Sequence, residues 1–466
     1  MISHPNDPRT ESAATAGARP TGFLDRIGLG RRELRAWALY DWANSAMVTT
    51  IITAVFPSYF GSVAAAGMSE EAATRWYSLA TTVGMVIIAL IAPILGTIAD
   101  FHGNKKTMLG GFVGLGVTAT AAMFFIYQGD WILASILFIL ANIGANGSFV
   151  FYDALLPHIA RPDEVDRVST AGYALGYLGG GVLLALNLAW ILKPAWFGLP
   201  TVQDLSVQGT LSVRLAFLSV AVWWLVFSIP LFRYVREPAV SSANRERETS
   251  GGSVPAAFAR LVETARSLGR YRQALLMLVA FLIYNDGIGT IMRMAVRYGG
   301  EIGINKETLI GSILLVQFVG IPCAFLFGAL AGRIGAKASI FLGLVGYTGI
   351  CIFGYFMKSG TQFLILAILV GFVQGGTQAL SRSLFASLIP REKSGEFFGF
   401  FGVADKFAGI FGPAVFGLIN LATGSSRGSI LSIIAFFVIG GTLLFFVDVA
   451  NGQRLAREEE AAVESG

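Results

Sequence analysis

Twelve apolar stretches run through this chain, each close to or above the roughly 20 residues that a helix needs to cross the hydrocarbon core of a bilayer. The first six lie at 36–63, 75–99, 107–127, 131–153, 168–192 and 212–235. A polar interval, 236–272, separates them from six more at 273–298, 307–331, 338–357, 361–389, 397–420 and 428–449. Segments of this length satisfy their backbone groups in lipid by becoming helices, so the pattern predicts an all-α membrane protein in two six-helix bundles. Only 14% of the residues are charged and 54% are hydrophobic, too few charges to dress a soluble exterior of this size.

The pattern divides the chain into a cytoplasmic tail (1–35), an N-terminal bundle (36–235), a central loop (236–272), a C-terminal bundle (273–449) and a second tail (450–466). Residues 1–22 are polar, carry Asp7 and Glu11 and lack an apolar core; they read as a disordered tail and not as a cleavable leader. Phe23 to Arg35 (FLDRIGLGRRELR) reads as a basic amphipathic segment suited to the membrane surface. Most of the 34 Lys and Arg residues fall in the two tails, the central loop and the loops after the second, fourth, eighth and tenth spans. The positive-inside rule then puts both termini in the cytoplasm.

These loops account for the net charge of +5 without a nucleic-acid partner. Cys323 and Cys351 sit inside apolar stretches as inert thiols, and His4, His102 and His158 are scattered, so neither a disulfide framework nor a metal site is expected. The phosphate-binding pattern GxxxxGK[ST] is absent, which argues against ATP-driven pumping. No nucleophile-elbow pattern suggests hydrolysis. The chain reads as a non-enzyme that needs no cofactor.

An internal repeat links the two halves. GTIADFHGNKK (96–106) follows the second span and GALAGRIGAK (328–337) the eighth, with Gly96/Gly328, Gly103/Gly335 and Lys105/Lys337 at one constant offset. The fourth and tenth spans end alike, in FYDALLP (151–157) and LFASLIP (384–390). Tyr40-Asp41 in the first span is answered by Tyr284-Asn285-Asp286 in the seventh. Agreement in three corresponding helices indicates duplication.

Gly96, Asp100, Gly103, Lys105 and Lys106 resemble the cytoplasmic loop signature of the major facilitator superfamily. Asp100 is either a latch that holds a neighbouring helix end in one transport state or a passenger in a positive-inside turn; the second copy has Gly332 in its place. A narrower resemblance begins at AWALYDWANSA (36–46). It continues through FYDALLPHIA (151–160), STAGYALGYLGGG (169–181), FLIYNDGIGTI (281–291) and GGTQALSRSLFASLIP (375–390). In these motifs the chain resembles the family of the fungal vacuolar amino-acid effluxer of autophagy and its bacterial relatives. The resemblance implies the twelve-helix major facilitator fold, alternating access around a central cavity lined by the first, fourth, seventh and tenth helices, and amino-acid export. It also suggests a bacterial cytoplasmic membrane.

Ionisable side chains inside spans cost roughly 2.5–3.5 kcal/mol each on insertion scales, which makes them functional suspects. Asp41, Ser45 and Thr49 recur every fourth residue with Asn44 beside them. Asn142, Asn146 and Asp153 share one face of the fourth helix, and Gln374, Gln378 and Arg382 one face of the tenth. By depth, Asp41 and Asp153 of the first half face Arg382 and Lys406 of the second near the cytoplasmic mouth. This predicts a charge layer that closes that mouth in one state, the alternative being static pairs that fix helix packing. Asn44, Asn142, Asn146, Gln374 and Gln378 are equally suited to a polar solute and to interhelical bonding. Arg293 and Asp286 suit the carboxylate and amino group of a zwitterion, or each other. Asp41 and Asp286 are candidate carriers of a coupling proton. Tyr173 and Tyr177 line the cavity or simply pack, and Gly412-Pro413 predicts a kink in the eleventh helix.

The expectation is a monomeric secondary transporter of a small polar solute in the lipid bilayer, with protons as possible partners. Drug or lipid-like efflux is a second reading, and a non-transporting membrane sensor a third.

Overall fold

The computed structural model describes residues 22–202, 204–238, 269–301, 303–407, 411–423 and 426–465. Residues 1–21 of the expected N-terminal tail and residues 239–268 of the central loop therefore lie outside the described residues. The first half contains α1 (Arg32–Ala64), α2 (Glu70–His102), α3 (Lys105–Phe125), α4 (Trp131–Ile159), α5 (Val165–Leu192) and α6 (Leu211–Tyr234). The second contains α7 (Arg272–Glu301), α8 (Lys306–Ile334), α9 (Ala336–Phe356), α10 (Gly360–Ser387), α11 (Ser394–Phe407), α12 (Phe411–Thr423) and α13 (Arg427–Phe445). A further helix, α14 (Val449–Ser465), ends the chain.

Among the described residues, eleven helices are long and apolar enough to cross a membrane. The place of the remaining expected span is taken by α11 and α12, on either side of residues 408–410. The first residue of α12 is Phe411, so the expected kink residues Gly412 and Pro413 fall in its first turn, where proline is tolerated because its missing N–H would be unpaired.

The repeat seen in the sequence has a conformational counterpart. Gly103 ends α2 with φ of +59° and Gly335 ends α8 with φ of +85°, both in the left-handed region that glycine reaches without strain. Ser69 caps α2 by accepting from the Ala72 N–H, and Asn305 caps α8 by accepting from Thr308. The turns after α2 and α8 both place a lysine across a helix end. Lys106 Nζ donates to the carbonyls of Phe232 (3.0 Å) and Val235 (2.5 Å) at the end of α6. Lys337 Nζ does the same for Phe445 and Val447 at the end of α13, both at 2.8 Å. Each cation meets unpaired terminal carbonyls and the negative end of a helix dipole. Each half thereby pins its last helix to its third.

Two local features add detail that the sequence reading did not specify. The stretch from Phe23 to Arg35 is not one amphipathic helix. A single turn, Phe23–Arg26, is followed by a bend at Gly28 (φ +81°), and Arg32–Arg35 already belong to α1. The acidic C-terminal tail is ordered as α14, held by Gln453 Nε2 on Ser387 Oγ (3.1 Å), Lys393 Nζ on Glu459 (2.7 Å) and a Tyr271–Glu459 hydrogen bond.

Within α1, Met47–Val55 and Phe60–Ala64 are wound wider than an ordinary α-helix, with five-residue hydrogen bonding. The first stretch is crowded with β-branched side chains, Val48 to Thr53, and Thr53 Oγ1 bonds back to the carbonyl of Val48 at 2.9 Å. Wide turns of this kind concentrate at working parts of helices.

Candidate functional site

The two halves meet where α2 packs on α11, α5 on α8 and α10, and α4 on α11. Glycines set the first two contacts in matching ways. A Cβ on Gly96 would collide with the Gly395 carbonyl of α11, and a Cβ on Gly328 would collide with the Thr170 hydroxyl of α5. The glycines that mark the repeat thus permit the closest approaches between the halves.

At the centre of this layer is Arg382 of α10, 2% exposed. Its Nη1 reaches Asp153 Oδ1 of α4 at 3.0 Å and Asp41 Oδ2 of α1 at 3.4 Å. Its Nε donates to Ser169 Oγ and its Nη2 to the Ser169 carbonyl of α5, both at 2.9 Å. One guanidinium therefore spans three helices of the opposite half, using the fork geometry that a lysine lacks. The rings of Tyr173, Trp37 and Tyr152 surround it at 4.6, 4.9 and 5.5 Å from the guanidinium carbon, and Trp37 stacks on Tyr152 at 4.3 Å. Such faces favour a desolvated cation. Asp41 also accepts from Tyr152 OH (3.2 Å) and Ser45 Oγ (3.3 Å).

Towards the loops a second lock joins the halves. Asp100 accepts the backbone N–H groups of Gly395 (3.0 Å) and Glu396 (2.8 Å), in the first turn of α11, and pairs with Lys105 Nζ at 2.6 Å. A carboxylate at unpaired N–H groups and the positive end of a helix dipole is well placed. His158 and Ser394 add a 3.0 Å contact, Ser169 donates to the Ala379 carbonyl at 2.7 Å, and Ser383 bonds Asp166. The two locks and these hydrogen bonds all lie at the end of the molecule that carries the Gly103 turn.

The remaining residues picked out by sequence divide between tie points and partly open positions. Asn44 is fully buried and its Nδ2 faces Ala145 O (3.3 Å), Ser148 Oγ (3.2 Å) and Tyr40 OH (3.5 Å), binding α1 to α4. Thr49, Asn142 and Asn146 bond back to carbonyls four residues earlier in their own helices, at 2.7, 3.0 and 2.9 Å. Tyr177 packs in the space left by Gly320 and Gly375. Asp286 is 2% exposed and its carboxylate accepts the Gly412 N–H at 2.7 Å. Arg293, two turns further along α7, is exposed. Gln378 Nε2 donates to Asn285 Oδ1 at 3.4 Å, and Asn285 Nδ2 to Asp405 Oδ1 at 3.0 Å. Gln374, one turn before Gln378, is partly exposed. The side chain of Lys406 lies outside the described residues.

Sequence reasoning passed over Ser169, which grips Arg382 through both its hydroxyl and its carbonyl, and Asn285, which links α10 to α11. Both stood inside motifs already noticed, the STAGY opening of α5 and the YND of α7, but a lone serine or amide carries no signal of its partner in one dimension.

The wider likeness follows this architecture. The chain aligns with the fucose transporter FucP in an outward conformation (TM-score 0.66, 14% identity, 91% of this chain and 99% of that one). It aligns also with a double-Trp mutant of XylE (TM-score 0.71, 14% identity, 91% and 98%). These show the major facilitator fold. The Bacillus subtilis MFS-type transporter YxiO is 37% identical over 92% of this chain and 97% of its own length. The Yarrowia lipolytica autophagy-related protein 22 is 28% identical over 65% of this chain and 54% of its own length. Residues 72–457 match the family described as "Vacuole effluxer Atg22 like". The chain belongs to the Atg22 family of major facilitator superfamily transporters.

Proposed function

We propose that this transporter exports small polar solutes, amino acids foremost, by alternating access across a bacterial cytoplasmic membrane, driven by protons. Its two bundles, 36–235 and 273–449, rock about the α2–α11 and α5–α8 contacts, with both termini in the cytoplasm as the basic loops require. The observation that carries this reading is the bridge from Arg382 to Asp41 and Asp153. A buried guanidinium shared between halves gives the closed cytoplasmic mouth a set of bonds that must part before the cavity opens inward. Ser45, Asn146, Tyr173, Gln374 and Gln378, all partly exposed, supply hydroxyl and amide groups for a polar solute beyond that bridge. The efflux reading is supported by the family description, "Vacuole effluxer Atg22 like".

The test is flux in proteoliposomes loaded with a panel of radiolabelled amino acids, with and without a pH gradient. Efflux that accelerates with the gradient supports the proposal. Flux indifferent to the gradient removes the proton, and flux of amphipathic drugs alone moves the substrate class. The absence of flux for every solute favours a sensor.

A further inference from the structure

The contacts that order α14 converge on one short stretch of chain. Arg391–Lys393, a single turn between α10 and α11, is held by two neighbouring acids of α14. Glu460 Oε1 accepts the Arg391 N–H at 3.1 Å and lies 3.6 Å from Arg391 Nε. Glu459 Oε1 accepts from Lys393 Nζ at 2.7 Å, and Tyr271, next to α7, donates to the same carboxylate. Nearer the start of α14, Gln453 reaches Ser387 at the end of α10 (3.1 Å), and a Cβ on Gly452 would collide with Leu388.

The next three residues are taken by the other half of the molecule. Ser394 meets His158 of α4 at 3.0 Å, and Asp100 of α2 accepts the N–H groups of Gly395 and Glu396 at 3.0 and 2.8 Å. The grip of α14 and the grip of the first half thus fall on consecutive residues, 391–393 and 394–396, with none between them to absorb slack. A backbone whose dihedrals are already fixed loses less conformational entropy when a second partner takes hold of it. With Arg391 and Lys393 pinned, the unpaired N–H groups that open α11 stand ready for the Asp100 carboxylate.

We propose that α14 is a strap on the cytoplasmic gate. Docked, it favours the closed mouth by ordering 391–393 ahead of the Asp100 contact; lifted, it shifts the transporter towards inward opening. This rests on the alternating-access reading above and adds a control point outside the spans. Coupling between two such contacts is reciprocal, so opening of the mouth also loosens α14.

The test uses the full-length protein with two reporters in parallel samples. One is a cysteine at Ala379, buried where α10 meets α5, labelled by an impermeant maleimide in inside-out vesicles. The other is a spin label at Ala461 of α14. Lys393→Glu and Glu459→Lys each set like charges face to face, and each should free the spin label and speed the maleimide reaction several-fold. Combining the two substitutions restores an opposite pair and should return both readouts most of the way to wild type, which a misfolded protein would not do. Arg382→Ala, which cuts the central bridge, should also free the spin label. A freed spin label with unchanged maleimide labelling would overturn the strap. So would an α14 that stays docked in both charge reversals, or a combined variant that labels as fast as the single ones. Arg382→Ala that opens the mouth with α14 still immobile would overturn the strap and leave alternating access standing. Unchanged maleimide labelling in Arg382→Ala and in both charge reversals would overturn the gate and the strap together.

Discussion

Arg382 and Asp153 stand 229 residues apart in the sequence and 3.0 Å apart in the fold, on opposite sides of the divide between the halves. Two carboxylates and one guanidinium occupy a largely buried layer, so removing the base leaves both acids buried without it. Breaking such a pair from one side costs about 3–5 kcal/mol. In Arg382→Ala, the basic end should therefore fall open. A cysteine at Ala379, fully buried in the closed layer, should label with an impermeant maleimide several-fold faster in inside-out vesicles. Arg382→Lys should restore little, because one ammonium cannot bond both acids and Ser169. Unchanged labelling in Arg382→Ala would sink the gate.

The glycines of the repeat differ sharply in what surrounds them. Gly96 faces the backbone of Gly395, whereas a Cβ on Gly332 would meet nothing within 4 Å. Gly96→Ala should force α2 from α11 and lower transport strongly. Gly332→Ala should be neutral or stabilising by up to about 1 kcal/mol, since alanine is the better helix former. Spin-label distances between α2 and α11 check the first; unfolding temperatures check the second. A tolerated Gly96→Ala would mean that the contact is not close in the membrane.

Asp100 answers two backbone N–H groups and one lysine. Asp100→Asn should weaken the closed state by roughly 1.5–3 kcal/mol, the worth of hydrogen bonds to a charged group. Lys105→Met should do less, because the carboxylate keeps its hold on α11. A double-mutant cycle read by the same labelling assay should show coupling between the two positions. Strict additivity would show that Lys105 serves only the loop's charge.

The C-terminal helix offers a pH prediction. Burial opposes the Glu459 carboxylate, but hydrogen bonds from Lys393 and Tyr271 and the Lys393 charge outweigh it and hold the carboxyl below its ordinary value of 4.5. A group depressed on folding contributes stability that is complete above its unfolded pKa and is lost as pH falls through its folded one. Docking of α14 should thus be constant at neutral pH and loosen only below the ordinary range. A spin label at Ala461 should gain mobility on acidification, and Glu459→Gln should abolish that dependence. Mobility that rises instead at alkaline pH would contradict the sign.

Eleven of the twelve expected spans, their order and the repeat were legible in the sequence, because each rests on local composition or on fixed spacing. The opposition of Asp41 and Asp153 to Arg382 was legible too, since depth along a span follows from counting residues at about 1.5 Å each. The fate of Asp286 was not. Whether an acid faces a cavity or a backbone N–H depends on which N–H the fold brings beside it, and Gly412 stands 126 residues away. Nor was α14 legible, for its acidic stripe looks like a solvated tail until Lys393 and Arg391 are brought beneath it. The constant offset of the repeat pairs Lys337 with Lys105. In the fold, Lys337 plays the part of Lys106, and Lys105 is the addition, turned towards an aspartate that the second half lacks.

The wide turns of α1 give that helix slack. A five-residue bond accommodates one residue more than an ordinary turn, and one residue corresponds to about 100° of rotation. If Met47–Val55 tightened to regular winding, the part of α1 beyond it would swivel and lengthen while Asp41 stayed fixed beside Arg382. Thr53, now exposed, would sweep to another bearing. A screw-like motion of one rod would then couple the state of the basic end to the shape of the far mouth, with no need for either bundle to bend.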